Sequence, residues 1–298
     1  MRRIYISFVL LFILIALLFP VGCGSKEKSS SDNSRPEILR VGLIPNQSPD
    51  KVKAQYEPFR KYLEEKLTMP VELFVATDYS GVVEAMAADK LDLAYLGGLT
   101  YVQARQIADI YPIVTEIDPY SDTTKYHSLI IVPATSPASS LKELKGKVFA
   151  FGDINSTSGS LYPRLMLEKA GLKVPDDFAR VIYTGGHDAT AQAVQNGTVD
   201  AGGIEDRILY RLEEKGAVDP QKIKIIAKSD PIEGYPWVVR ANLDKKLVDK
   251  ITRAFLEITD PQLLDLMRAV KYVPISAEDY DFVEREARRL GLIKFQKK

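Results

Sequence analysis

The sequence predicts a two-lobed α/β clamp with two hinge strands, on three observations. From Ile38 onward, short β-rich runs alternate with amphipathic helical stretches; the alternation restarts after a polar segment at Asp118–Thr124; and a strand-like Trp237–Arg240 is followed by helices only. Alternating β and α units give a mostly parallel sheet covered by helices. A chain of 298 residues, 46% of them hydrophobic, buries enough for about two domains.

Taken in order, Leu39–Ile44 reads as a strand, and Asp50–Leu67 as a helix with Val52, Tyr56, Phe59, Leu63 and Leu67 on one face. Val71–Val75 is a strand and Ser80–Ala88 a helix. Leu91–Leu96 is a strand ending in Gly97-Gly98, Tyr101–Ala108 a helix and Ile113–Thr115 a strand. The apolar run Leu129–Val132 opens the second series. Strand Val148–Phe151, helix Leu161–Ala170, strand Val181–Tyr183, helix Ala189–Gln195, strand Val199–Gly202, helix Arg207–Lys215 and strand Ile223–Ala227 follow. Helices Lys245–Phe255, Pro261–Met267 and Ala277–Leu290 close the chain. With Leu129–Val132 and Trp237–Arg240 as the crossings, residues 38–128 plus 238–298 form one lobe and 129–237 the other. Ligands of open α/β sheets bind beyond the carboxyl ends of the strands, so both lobes offer loops to the cleft between them.

The N-terminus carries Arg2-Arg3, an apolar run from Ile4 to Phe19, and Pro20-Val21-Gly22-Cys23, which is the pattern of an export signal. Cys23, the only cysteine, follows a small residue and precedes the Ser/Lys/Asp-rich stretch Ser25–Pro36. This looks like a bacterial lipoprotein signal: residues 1–22 removed, Cys23 acylated, and 23–37 a flexible tether to the membrane. Pro20 stands where such signals usually carry Leu. An uncut signal-anchor helix is the alternative, since about 20 apolar residues span a bilayer. Forty basic and forty acidic residues leave no net charge, which argues against a nucleic-acid partner but not against a small anion.

The stretch Phe151-Gly152-Asp153-Ile154-Asn155-Ser156-Thr157-Ser158-Gly159-Ser160 carries most of the chemistry. Hydroxyls and uncommitted N–H groups gather where a helix starts after an apolar strand, with Asn155 or Ser156 as cap, and such a start attracts an oxyanion. An N-cap in a surface loop is the plainer reading of the same residues.

Further along lie Thr77-Asp78-Tyr79-Ser80-Gly81-Val82, Asp92–Gly98, Tyr126-His127-Ser128, Gly185-Gly186-His187-Asp188-Ala189 and Val199-Asp200-Ala201-Gly202. Together with Asn155–Gly159, in this order, they resemble the phosphate/phosphite/phosphonate-type substrate-binding proteins of ABC transporters, of type II periplasmic-binding-protein fold. The resemblance covers roughly residues 38–255. It implies that phosphoryl oxygens are held by Tyr79, Tyr126, Ser156, Thr157, Ser158 and His187, each a hydrogen-bond donor. It further implies capture for uptake through an ABC permease, by a monomer without cofactor and without catalysis. His127 alternates away from Tyr126 and reads as structural, or as a support behind the residues that touch the ligand. His127, His187, Asp153 and Asp188 lack metal-ligand spacing.

One departure narrows the ligand. Relatives that bind aminoalkyl phosphonates hold the ammonium with acids, one in an Ile-Pro-Gly-Asp-Pro segment; here Ile232-Glu233-Gly234-Tyr235-Pro236 puts Tyr235 in its place. The other acidic position falls on Arg207, or on Asp206 with a one-residue slip. The expected ligand therefore carries no amine: phosphate, phosphite or a simple alkylphosphonate. Alternatives are an aminoalkylphosphonate binder in which Glu233 takes the acid's role, an oxyanion sensor feeding a histidine kinase, and an enzyme using His187 as acid or base. The sequence has neither a Gly-x-Ser-x-Gly elbow nor a Gly-Lys-Ser phosphate loop to support the enzyme.

Overall fold

The computed structural model of the protein describes residues 35–293. The export signal, Cys23 and the tether up to residue 34 lie outside the described residues. In the first half, β1 (Leu39–Leu43), α1 (Pro49–Leu67), β2 (Val71–Val75), α2 (Tyr79–Ala87), β3 (Leu93–Tyr95), α3 (Gly98–Ala104) and β4 (Ile110–Ile117) follow one another. Helix α1 begins on a proline at its first turn and buries Val52, Tyr56, Phe59, Leu63 and Leu67, the stripe that its spacing predicts.

The second half runs β5 (Ser128–Pro133), β6 (Val148–Phe151), α4 (Tyr162–Lys169), β7 (Arg180–Tyr183), α5 (His187–Gln195), β8 (Ala201–Glu205), α6 (Asp206–Glu214) and β9 (Ile223–Lys228). Strand β10 (Trp237–Arg240), helices α7 (Lys245–Leu256) and α8 (Pro261–Leu266), strand β11 (Lys271–Pro274) and helix α9 (Asp281–Arg289) complete the described chain.

Two sheets result, ordered β11-β4-β10-β3-β1-β2 and β7-β6-β8-β5-β9. In the first, β1 pairs in parallel with β2 and β3, while β10 runs antiparallel between β3 and β4. In the second, β6 pairs in parallel with β7 and β8, and β5 runs antiparallel between β8 and β9. Leu129 and Ile131 of β5 join the core on one face of that sheet, Ile130 and Val132 the core on the other, as the two-residue period of a strand buried on both sides requires.

Two expectations need correction. The chain does not cross between lobes along Leu129–Val132 and Trp237–Arg240, which are interior strands with a neighbour on each side. It crosses just before each of them, where Tyr126 and Ile232 pair in an isolated antiparallel bridge, their N–H···O contacts 3.0 and 2.8 Å. Apolar runs need partners on both edges, so they sit inside sheets, and the more polar segments preceding them form the hinge. The hinge is tightly wound: a Cβ on Gly234 would lie 2.5 Å from Thr115 Oγ1 and 2.6 Å from the Thr124 carbonyl. The second correction is β11, in the stretch expected to hold helices only. It is four residues long, ends in proline and pairs antiparallel with β4 at the sheet edge, where a missing N–H is tolerated. The C-terminal helices do return to the first lobe: Phe255 of α7 meets Phe59 of α1 with ring centroids 5.1 Å apart.

Candidate functional site

The segment after β6 does not enter a regular helix directly. Thr157–Leu161 form a wide π-type turn, capped by the Ser156 hydroxyl, which accepts from Gly159 N at 3.0 Å; α4 then continues. The Thr157 and Ser158 N–H groups open that turn, ahead of any carbonyl within it that accepts them. Glycine is required at 159: a Cβ there would stand 2.9 Å from Ser156 Oγ, 3.1 Å from His187 Cε1 and 3.3 Å from Gly152 Cα.

The loops of the two lobes close on this turn. Thr157 Oγ1 accepts from Leu99 N at the start of α3 at 2.9 Å, so its own proton points elsewhere. Tyr79 N donates to Asp153 Oδ2 at 3.2 Å, Asn155 Nδ2 to Ser80 Oγ at 2.9 Å, and His187 N to the Asn46 carbonyl at 3.0 Å. Each contact joins the first lobe to the second.

Four buried polar atoms around the turn have no partner in the described structure: Tyr79 OH, Tyr126 OH, Ser158 Oγ and His187 Nε2. The Tyr79 hydroxyl neighbours Ser156 and the Tyr126 hydroxyl neighbours Thr157 without meeting hydrogen-bond geometry. Burial pushes both phenols well above their ordinary pKa, so they stay protonated donors. Burial pushes the His187 imidazole below its ordinary value, so it is neutral near pH 7. Its Nδ1 accepts from Glu205 N at 3.3 Å, which leaves the proton on Nε2. The unpartnered atoms are therefore donors, each costing about 1–3 kcal/mol while unsatisfied. An acceptor-rich group with several oxygens satisfies all of them.

Asp206 and Tyr235 are placed differently. Asp206 Oδ1 accepts from His127 N at 3.0 Å and Arg207 N at 2.9 Å, while Oδ2 lies 3.1 Å from His127 Nδ1, so this carboxylate is committed to the start of α6. His127 is thereby turned to Asp206, away from the four unpartnered donors. Tyr235 OH donates to Glu205 Oε2 and its ring meets Tyr126 edge-on at 5.3 Å.

A buried charge cluster adjoins the donors that sequence reasoning missed. Arg207 Nε donates to Glu205 Oε1 at 2.7 Å and NH1 to Glu116 Oε1 at 3.0 Å, with Asp118 at 3.8 Å. Its guanidinium lies 4.4 Å from the Tyr126 ring centroid and 5.2 Å from that of Tyr235. Burial works to raise the Glu205 carboxyl, but attraction led by Arg207 outweighs it and holds the group below its ordinary value. For Glu116 burial prevails and its pKa rises. The available signal was Glu205-Asp206-Arg207 itself, three charges at the carboxyl end of a fully buried strand. Glu233 is occupied with Lys125 at the hinge and does not enter the cluster.

Residues 41–280 match the family model described as "ABC transporter, phosphonate, periplasmic substrate-binding protein". The chain belongs to this family of periplasmic substrate-binding proteins. This family member is 32% identical to the phosphate-import protein PhnD of Mycolicibacterium smegmatis, over 90% of this chain and 91% of that one. It is 30% identical to the phosphonates-binding periplasmic protein of Escherichia coli, over 97% and 83%. PhnD1 of Prochlorococcus marinus, solved in complex with methylphosphonate, superposes with a TM-score of 0.80 at 25% identity, covering 87% of this chain and 100% of that one. The fold is thus the two-lobed type II clamp, and the family is one of transport receptors. Among the described residues no group of His, Cys, Asp and Glu is arranged to hold a metal ion, and no helix is long and apolar enough to cross a membrane.

Proposed function

We propose that the protein is the extracytoplasmic receptor of an ABC importer for a small phosphorus oxyanion without an amine: phosphate, phosphite or a simple alkylphosphonate. The observation that carries this reading is the convergence of the Tyr79, Tyr126, Ser158 and His187 donors, none with an acceptor at hydrogen-bond distance, on the capped turn of Ser156 and Thr157; Glu205 Oε2 stands 3.9 Å from His187 Nε2. Closing both lobes on the ligand stabilises the shut clamp, because the ligand meets donors of both lobes only there. Acylated Cys23 tethers the monomer to the membrane and the loaded clamp delivers to a permease.

The exclusion of an amine rests on Arg207. Where a ligand ammonium would need carboxylates, Glu205 and Glu116 are present, but the chain's own guanidinium already engages both. A second cation beside it would be repelled, and displacing Arg207 would strand a buried charge.

Isothermal titration of residues 25–298 tests the reading. At least one of phosphate, phosphite and methylphosphonate binds at about micromolar or tighter, since several charge-assisted hydrogen bonds exceed the ordering cost. 2-Aminoethylphosphonate binds at least about tenfold more weakly. Tightest binding of the amine overturns the Arg207 argument, and no binding by any of the four overturns the ligand class. Loss of membrane association in Cys23→Ser checks the tether.

A further inference from the structure

Strand β1 ends at Leu43 between β2 and β3, level with Val75 and Tyr95. The three parallel strands therefore release their loops side by side at the carboxyl end of the sheet, where ligands of open α/β sheets bind. The β2 loop leads to Tyr79, whose N–H reaches Asp153, and the β3 loop leads to Leu99, whose N–H reaches Thr157. Between them lies the β1 loop, Ile44-Pro45-Asn46-Gln47-Ser48.

The contacts of this loop run along the same turn. Ile44 N donates to the Tyr95 carbonyl at 3.3 Å. Ile44 Cδ1 and Thr157 Oγ1 both flank Gly97, at 3.8 and 3.2 Å from where a Cβ on that glycine would stand. Asn46 N then donates to the Ile44 carbonyl at 3.0 Å, folding the chain back, and the Asn46 carbonyl accepts from His187 N at 3.0 Å. Asn46 thus sits at the seam between the lobes, against the first residue of α5.

The backbone of Asn46 is fully engaged and its side-chain nitrogen is not. The residue is 2% exposed although it belongs to a loop, and Nδ2 is buried without an acceptor. A primary amide carries two N–H donors, and leaving them buried and unmade costs folding free energy. Of the other unpartnered buried donors in the described structure, four are assigned above to the oxyanion. Tyr56 OH and Trp237 Nε1 belong to an aromatic cluster of the first lobe, their ring centroids 6.1 Å apart. Asn46 Nδ2 remains, on a residue bonded to His187.

Resting on the ligand class proposed above, we propose that Asn46 is a further binding residue for the oxyanion, its Nδ2 donating to a ligand oxygen on the His187 side of the site. It gives the first lobe a donor besides Tyr79 and the hinge residue Tyr126. The same residue makes a closing contact through its carbonyl and a ligand contact through its amide, so docking of His187 on the β1 loop and capture of the anion favour one another.

Asn46→Ala and Asn46→Asp, titrated with methylphosphonate and inorganic phosphate and melted without ligand, test this. Asn46→Ala keeps both backbone contacts and is expected to bind at least about tenfold more weakly than wild type, the loss of one hydrogen bond to a charged oxygen. Its ligand-free unfolding temperature is expected to stay within about 2 °C, since relief of an unmade donor offsets the lost packing. Asn46→Asp has the same shape but presents a carboxylate, and is expected to bind at least about a hundredfold more weakly than wild type. If Asn46→Ala binds within about threefold of wild type, if its affinity falls together with its unfolding temperature, or if Asn46→Asp binds no more weakly than Asn46→Ala, Asn46 only shapes the loop and the inference fails while the ligand class stands. If the wild-type protein binds neither probe, both fail.

Discussion

Replacing Tyr79 with phenylalanine removes one hydroxyl and leaves the ring. In the described structure this hydroxyl is buried and unpartnered, and Tyr79 is 1% exposed. Such a donor costs the folded protein about 1–3 kcal/mol, so without ligand the variant gains about 1 kcal/mol once imperfect repacking is allowed for. For a chain of this size that is an upward shift of about 2–4 °C in unfolding temperature. With ligand the sign reverses. A hydrogen bond to a charged oxygen is worth about 1.5–3 kcal/mol, so affinity falls about 10–150-fold. Thermal unfolding without ligand and calorimetric titration with methylphosphonate read the two effects separately. A variant that melts lower and binds as tightly as wild type would show that Tyr79 is a packing residue beside the α2 cap, and would refute the donor argument.

Gly159→Ala forces a Cβ against Ser156 Oγ and His187 Cε1, so titration should show affinity at least about tenfold lower as the cap or the imidazole moves. Glu205→Gln leaves Arg207 with Glu116 and the more distant Asp118, and urea unfolding should register a loss of about 3 kcal/mol, the low end for a broken buried pair because one partner remains. His187 has a pKa depressed in the fold relative to an unfolded value near 6.5, so the unfolded chain binds the extra proton first. Its stabilising contribution is complete above pH 6.5 and is lost as pH falls, so between pH 7.5 and 5.5 wild type should lose more stability than His187→Gln. Equal losses in the two proteins would mean that the imidazole is not held neutral.

The alternation of strands and helices was legible because each element buries a stripe that its own period writes into the sequence, as on α1 and β5. The crossings were displaced because apolarity marks strands inside a sheet, whereas a hinge is held by backbone pairing, here Tyr126 with Ile232, which leaves little trace in composition. Strand β11 was missed because it is short, has one fully buried residue and ends in proline. At the site, Tyr79, Tyr126, Ser158 and His187 were reached through their motifs. The partners of Tyr235 and Asp206 were not, since nothing in the order of residues says that Glu205 turns to Tyr235 while Asp206 turns to His127.

The central claim is that one tetrahedral oxyanion satisfies donors from both lobes. A crystal structure of the protein with methylphosphonate tests it most directly. The account predicts phosphonate oxygens within about 2.5–3.1 Å of Tyr79 OH, Tyr126 OH, Ser158 Oγ and His187 Nε2, at the turn that Ser156 caps. A ligand bound elsewhere, with those four atoms still unpartnered, would contradict it.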